Sequence, residues 1–471
     1  MCRNQWVFVW APEEEDPWPP GAASRWWLHQ SVSALDDDLL RSGSRLVIRR
    51  GPALQALRAL ARETGAQAVF WNRRYEPSVR RRDEKIQASL ESLGLDVQTF
   101  GASLLFEPGE ILNQSGKPYQ VFSQFWRTCL LKPEPAQPLA VQSRIGALRN
   151  RPQSVALTDL NLLPAAHWTG GLEKMWTPGA AGARKRLSSF VKGILAAYAV
   201  TRERPDQTGT SRLSPHLHFG EISPREVWHA VRKASFEGMG QTQFHSDKKH
   251  RAAANQGADL IRGEETFLRE LGWREFAYHL LFHFSHTQEE PLRPNFRKFP
   301  WRRNAAALLA WQRGCTGYPI VDAGMRELWS TGWMHNRVRM IVASFLVKDL
   351  LISWQEGARW FWDTLVDADL ANNTLGWQWS AGCGADAAPY FRIFNPVSQG
   401  ERFDPEGVYV RRWIPELATT PREFIHRPWQ APASLSVEKR SRLGENYPRP
   451  LVDHAAAREK ALEAYRKSSG N

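Results

Sequence analysis

Over its first hundred residues the chain alternates short apolar runs with amphipathic stretches, and beyond about residue 183 the strand signal disappears. "RLVIR" at Arg45–Arg49, "AQAVFW" at Ala66–Trp71 and "LDVQTF" at Leu95–Phe100 have the length and composition of buried strands. The segments between them, Ala53–Thr64 and Pro77–Leu93, have helical length and spacing. Such alternation predicts a parallel sheet, hence an α/β, Rossmann-like domain over residues 1–107. No GxGxxG follows any of these strands, so the usual dinucleotide fingerprint is missing. Residues 108–183 are rich in Pro, Gly and Gln, with "KPEPAQP" and "TPGAAG" as breakers, and read as an interdomain connector. Residues 184–471 are predicted to form a large, almost wholly helical domain whose last helix is "HAAAREKALEAYRKSSGN".

Composition narrows the function. Apolar residues make up 42% and charged residues 24%, as in ordinary soluble domains. No apolar run approaches the roughly 20 residues of a membrane span, and no signal-peptide pattern opens the chain. Cys2, Cys129, Cys315 and Cys383 are far apart. That predicts a reduced, cytoplasmic compartment and disfavours an iron–sulfur or zinc site. A net charge of +13 favours a polyanionic partner. The 22 tryptophans are many for a residue whose N–H needs a partner when buried; stacking, electron transfer and plain core packing all use them.

"NNTLGWQWSAGCGADAAPYFRIFNP" (Asn372–Pro396) offers indoles and amides but no nucleophile–base pair, phosphate loop or metal-ligand spacing. Trp333, Asn336 and Met340 share one helical face, which suits either a flat aromatic ligand or simple core packing. Glu270 and Trp273 are i, i+3 neighbours on an apolar helix; the glutamate either pairs with an arginine such as Arg274 or enters a pocket. Thr210, Ser211 and Ser214 precede a helical stretch, where hydroxyls cradle phosphate or merely cap. His279, His283 and His286 have helical spacing, but without an HExxH glutamate no metal is expected. Asp367 and Asp369 in "VDAD" suit hydrogen bonds to a ligand or an arginine.

Together, "TGTSRLSPHLHFGEISP", "TGYPIVDAGMRELWSTGWMHNRVRM" and "DADLANNTLGWQWSAGCGADAAPYFRIFNP" resemble the photolyase/cryptochrome flavoproteins, over nearly the whole chain. The resemblance implies an N-terminal antenna domain and a helical domain holding a folded FAD, reduced and anionic when active. It implies FAD contacts at Tyr198, Thr210, Ser211, Arg212, Leu213, Ser214, Phe267, Arg274, Arg339, Asp367, Ala368 and Asp369, with Asn373 beside the reactive ring edge. Trp377, Trp354 and Trp301 match the family's electron relay. Repair would proceed by light-driven electron transfer to a pyrimidine dimer flipped out of UV-damaged DNA, for which photolyases are a standing example. Trp273 and Trp379 match the lesion's aromatic walls, Glu270, Asn336 and Met340 its edge contacts, and Arg202, Arg337 and Gln399 nearby DNA contacts. Glu270 and Asn373 are thereby also candidates for the catalytic set.

Subtype follows from a few of these positions. Trp379, Met340 and Asn373 resemble cyclobutane-dimer photolyases of class I or class III, with a blue-light receptor or a (6-4) photolyase as alternatives. A monomer is the family norm. Family chains usually place a strand and an "R-x-D-L-R" segment before the strand that here reads "VFVWAPEEE". One strand–helix unit is therefore expected to be absent, through a misassigned start or a truncated gene, leaving the sheet without a central strand and with an open edge. Methenyltetrahydrofolate or a deazaflavin is the implied antenna, and the missing unit touches its domain. Thr242–Gly263 reads as a long, basic, solvated linker.

Overall fold

The computed structural model describes residues 4–140, 145–146, 152–164, 168–240, 249–387, 392–432 and 443–469, with the backbone alone at 238–240, 249–256 and 469. Strand β1 (Trp6–Trp10) leads into helix α1 (Ala22–Arg41), β2 (Leu46–Arg50) and α2 (Ala53–Thr64). Strand β3 (Ala68–Asn72), helix α3 (Pro77–Glu91) and strand β4 (Asp96–Phe100) follow. Each predicted strand and helix of this domain is present, within three residues of its predicted ends.

All pairing is parallel, and it forms two separate ribbons: β1 with β2 (Val7 opposite Val47) and β3 with β4 (Val69 opposite Val97). Among the described residues no ladder joins them. Side chains bridge the break instead. Val9 of β1 and Val69 and Trp71 of β3 pack on one cluster with Ala53, Ile86 and Leu90 from α2 and α3. Strands β3 and β4 are not the fully buried strands the apolar runs suggested. Phe70 and Phe100 are about half exposed, because helices cover only one face of that ribbon.

The connector is packed rather than loose. Helix α4 (Phe122–Leu130) sets Phe122, Phe125 and Cys129 against Phe276 and Leu280 of a later helix. Helix α5 (Gly170–Met175) places Leu172 beside Trp26 and Trp27 of α1 and Trp333 of the helical domain. Helix α6 (Ala180–Gly193) begins inside "TPGAAG", so the predicted boundary at residue 183 cuts a helix.

The helical domain continues through α7 (Tyr198–Thr201), α8 (Ser214–His218), α9 (Pro224–Gly240), α10 (Lys249–His283), α11 (Ala305–Gln312) and α12 (Pro319–Thr331). It then runs through α13 (Asn336–Ser344), α14 (Trp354–Thr364), α15 (Leu370–Ala381), α16 (Pro396–Phe403), α17 (Val408–Trp413) and α18 (His454–Ser469). The supposed linker at Thr242–Gly263 is overturned from Lys249 onward, where it forms the start of α10; residues 242–248 lie outside the described residues. Its alanines favour helix intrinsically. Helix α13 passes into one wider turn, Phe345–Asp349, where the Leu350 N–H reaches the Phe345 carbonyl. The main core gathers α10 to α15 with the tail helix α18.

Candidate active site

The site grows from the N-terminus of α13. His335 caps this helix, its Nδ1 accepting the Arg337 N–H at 3.2 Å. Burial, then the charges of Arg212, Arg337, Arg339 and Arg202, push the His335 pKa down to about 3, so the ring is neutral. With Nδ1 accepting, Nε2 carries the proton, and it is buried without a partner. Arg339 clasps Asp367 in a fork, Nη2 lying 2.9 and 3.1 Å from the two carboxylate oxygens. Its guanidinium also lies 5.9 Å from the Trp333 ring, and that of Arg212 lies 4.7 Å from the same ring. Arg212 holds a left-handed backbone (φ 51°), which turns the hydroxyl-bearing loop into α8.

A second chain of contacts leads from α7 to α10. Tyr198 and Phe267 rings meet edge-on at 5.4 Å, and Arg202 lies over Tyr198 and reaches Glu270 at 2.5 Å. Glu203, the next residue, takes the Nε of Arg337 at 2.5 Å, and Arg337 rests on Phe403 at 4.5 Å. Glu270 therefore pairs with Arg202 and not with Arg274. Arg274 instead donates to the Ser103 carbonyl at 2.6 Å and lies over Tyr278, which leaves its Nη2 buried and unpartnered.

Asp369 joins the two chains at the start of α15. One oxygen caps the helix by accepting the Asn372 N–H at 2.9 Å; the other accepts the Tyr278 hydroxyl and faces His218 Nδ1 at 3.3 Å. Burial alone would raise its pKa, but the hydrogen bond and charge of His218, the Arg274 charge and the Tyr278 hydroxyl together hold it well below the usual carboxylate range. One turn on, Asn373 is half-buried and donates Nδ2 to the Ala358 carbonyl at 3.0 Å, leaving its amide oxygen for a ligand. Ala368 is buried between the two aspartates. Thr210 and Ser211 are half-buried, Leu213 is buried and Ser214 is exposed; Ser211 turns its hydroxyl onto the Leu213 N–H rather than capping α8.

Trp377 and Trp354 are each 2% exposed, while Trp301 is half-buried. Trp377 packs edge-on to Phe361 at 5.0 Å and Trp311 at 6.1 Å. Met340 and Trp379 line one open cleft, together with Ser344, Lys348 and Tyr465. Trp273 is not in that lining. It lies flat on Phe122, 3.8 Å away with planes 9° apart, because the connector helix α4 offers it a ring. Gln399 sits on α16, one turn before the Phe403 that carries Arg337, with no side-chain hydrogen bond described.

His279 and His283 hold the connector: His279 accepts the Tyr119 N–H at 3.0 Å, and His283 bonds the Pro108 carbonyl at 3.0 Å. Sequence reasoning missed Tyr278, His218 and His335. Tyr278 was the findable one, four residues beyond Arg274 on the same helical face.

The set suits FAD. Buried, unpartnered donors at Arg274 Nη2, His335 Nε2 and Trp377 Nε1 stand among aromatic walls, beside the paired arginines Arg202, Arg337 and Arg339. Such a shell fits a long ligand with aromatic ends and a negative middle.

The comparisons agree. The model described as "FAD binding domain of DNA photolyase" matches residues 267–467, and "DNA photolyase" matches residues 4–142. A deoxyribodipyrimidine photo-lyase of Agrobacterium fabrum is 47% identical over 96% of this chain and 90% of its own length. Cryptochrome-1 of Arabidopsis thaliana is 40% identical over 96% of this chain and 65% of its own length. The crystal structure of a class III photolyase from Agrobacterium tumefaciens superposes with a TM-score of 0.91 at 44% identity, covering 100% of this chain and 93% of the other. The chain belongs to the photolyase/cryptochrome family.

Proposed function

We propose that the protein is a light-driven deoxyribodipyrimidine photo-lyase that splits cyclobutane pyrimidine dimers in DNA. One observation carries this reading. Met340 and Trp379 line a cleft on the same two helices, α13 and α15, that bear Arg339 and Asn373 of the cofactor shell. A base flipped into that cleft would lie against the cofactor's ring edge.

Bound FAD in its reduced form supplies, on excitation, the electron that opens the dimer. The chain's own residues bind and orient. Arg339–Asp367 fixes one flank, Asn373 offers its amide oxygen, and Asp369, ionised and hydrogen-bonded to His218, Tyr278 and Asn372, holds the start of α15 in place. Glu270 and Asn336 read the pyrimidine edges, and Trp273 stands at the rim. Arg202, Arg337 and Gln399 meet the phosphate backbone, with the net charge of +13 supplying salt-dependent attraction. Trp301, Trp354 and Trp377 form the relay that re-reduces the cofactor, a reading supported by one half-buried tryptophan and two deep ones.

Similarity to the class III structure favours that class. Among the described residues no helix is long and apolar enough to cross a membrane. The reading is of a cytoplasmic monomer, with an antenna domain to residue 107, a connector to 183 and a catalytic domain beyond. Methenyltetrahydrofolate or a deazaflavin would serve as antenna. The test is direct: photoreduce the purified protein and give it a thymine-dimer oligonucleotide under blue light. Restored thymines support repair. A yellow protein that photoreduces and leaves the dimers intact is instead a cryptochrome-type receptor.

A further inference from the structure

Between Pro291 and Gly314 the chain carries six cations and no carboxylate, and four of them flank Trp301: Arg297, Lys298, Arg302 and Arg303. The backbone pins this short loop to the core. Trp301 N–H meets the Phe299 carbonyl at 2.8 Å, and Arg302 N–H meets the Leu351 carbonyl at 2.7 Å. The indole packs on Phe299 at 4.3 Å and keeps one edge in solvent. Arg297 meets Glu290 at 2.6 Å. Lys298, Arg302 and Arg303 are exposed, and no described carboxylate lies within ion-pair distance of them. Three positive charges without a described carboxylate partner thus border the half-buried ring of Trp301, the outermost member of the proposed relay.

An electron relay is complete only when its last member is refilled from outside. Most of a basic surface needs no such account, because exposed cations are ordinary. Here the charge is concentrated where an electron must enter, and fixed charges of one sign raise the local concentration of opposite ions.

We propose that Lys298, Arg302 and Arg303 dock small organic anions that donate one electron to Trp301, such as enediolates of the ascorbate type. This rests on the relay reading above. The oxidised indole takes one electron and regains its closed shell. Ascorbate monoanion, having lost that electron, leaves as its radical and releases one proton to water. The charges act at short range, since salt screens exposed charges beyond about 10 Å.

The test uses the holoprotein and its Lys298→Gln/Arg302→Gln/Arg303→Gln variant. After a light pulse, the decay of oxidised-tryptophan absorbance is followed against ascorbate and against hydroquinone, which is neutral at pH 7. The variant is expected to lose about tenfold in the ascorbate rate, and most of its salt dependence, with hydroquinone unaffected. A second readout needs no photochemistry. The fluorescence lost in Trp301→Phe isolates this indole, and iodide should quench it less in the triple variant while acrylamide quenches both alike. An unchanged ascorbate rate, or an equal fall with both donors, overturns the proposal. So does a variant that loses only DNA affinity, because the patch then serves phosphate. Normal photoreduction in Trp301→Phe sinks the relay and this proposal together. A dead Trp301→Phe with an ascorbate rate indifferent to charge sinks this proposal alone.

Discussion

A Cβ placed on Gly357 would fall 2.0 Å from Cη2 of Trp377. Gly357 lies three residues after Trp354 on α14, so the glycine lets the indole of α15 lie directly against the helix that carries Trp354. The Trp377 ring reaches the backbone of α14 because that position has no side chain.

Gly357→Ala should therefore overpack this contact. A loss of about 1–3 kcal/mol is expected in chemical denaturation, despite alanine's better helix propensity. Photoreduction should also slow, since the ring must shift. Unchanged stability would mean that the helices relax freely.

Trp301→Phe should strongly impair photoreduction while repair by chemically pre-reduced enzyme survives. Loss of repair from the pre-reduced state would show that Trp301 does something other than relay electrons.

Asp367→Asn leaves the Arg339 guanidinium without its forked partner, in a place where the carboxylate is 3% and the arginine 25% exposed. Breaking one member of such a pair should cost about 3 kcal/mol. FAD retention on gel filtration should fall as well. A yellow variant of normal stability would remove this pair from the cofactor shell.

Glu275 makes stability depend on pH. Burial raises its pKa from 4.5 to about 7, outweighing Arg274 and the two backbone N–H groups of Phe106 and Leu105. The folded state thus holds a proton that the unfolded state releases near pH 4.5. The stabilisation is fully present below that pH, shrinks as pH rises to 7 and is lost above it. Glu275→Gln keeps an oxygen for the Leu105 N–H, which the wild type bonds at 2.8 Å. Relative to wild type, the variant should gain about 3 kcal/mol between pH 4.5 and 7. Parallel stability curves over that range would refute the shift.

Arg337→Gln should weaken binding to damaged and undamaged DNA alike. The plot of log affinity against log salt should become shallower by up to about 0.9, the full value requiring that Arg337 leaves Glu203 for a phosphate. A specific loss for the damaged strand would make Arg337 a lesion contact instead.

Sequence alone carried the element order, from three internal strands and two helices of the α/β domain to the change into helices, because periodicity is local information. It also carried the long ordered motifs, and with them the family. Spacing on a helix put Asn336 and Met340 on one helix, α13, but Trp333, expected on the same helical face, precedes it, because the helix starts only after the His335 cap.

Partner choice was decided only in three dimensions. Glu270 and Arg274 are four residues apart, so sequence left open a pair between them or a glutamate in a pocket; Arg202, distant in the chain, is folded against Glu270 instead. Trp273, expected with Trp379 as an aromatic wall, has one face taken by Phe122 of the connector, a contact no local pattern announces. The 242–263 stretch looked like a linker because its charges hide the alanines that build α10. "NNTLGWQWSAGCGADAAPYFRIFNP" determined which groups are available: four side-chain amides, two indoles and no nucleophile–base pair. Tertiary packing decided what each one faces, because contacts between residues distant in sequence depend on how helices dock, and no local pattern records that.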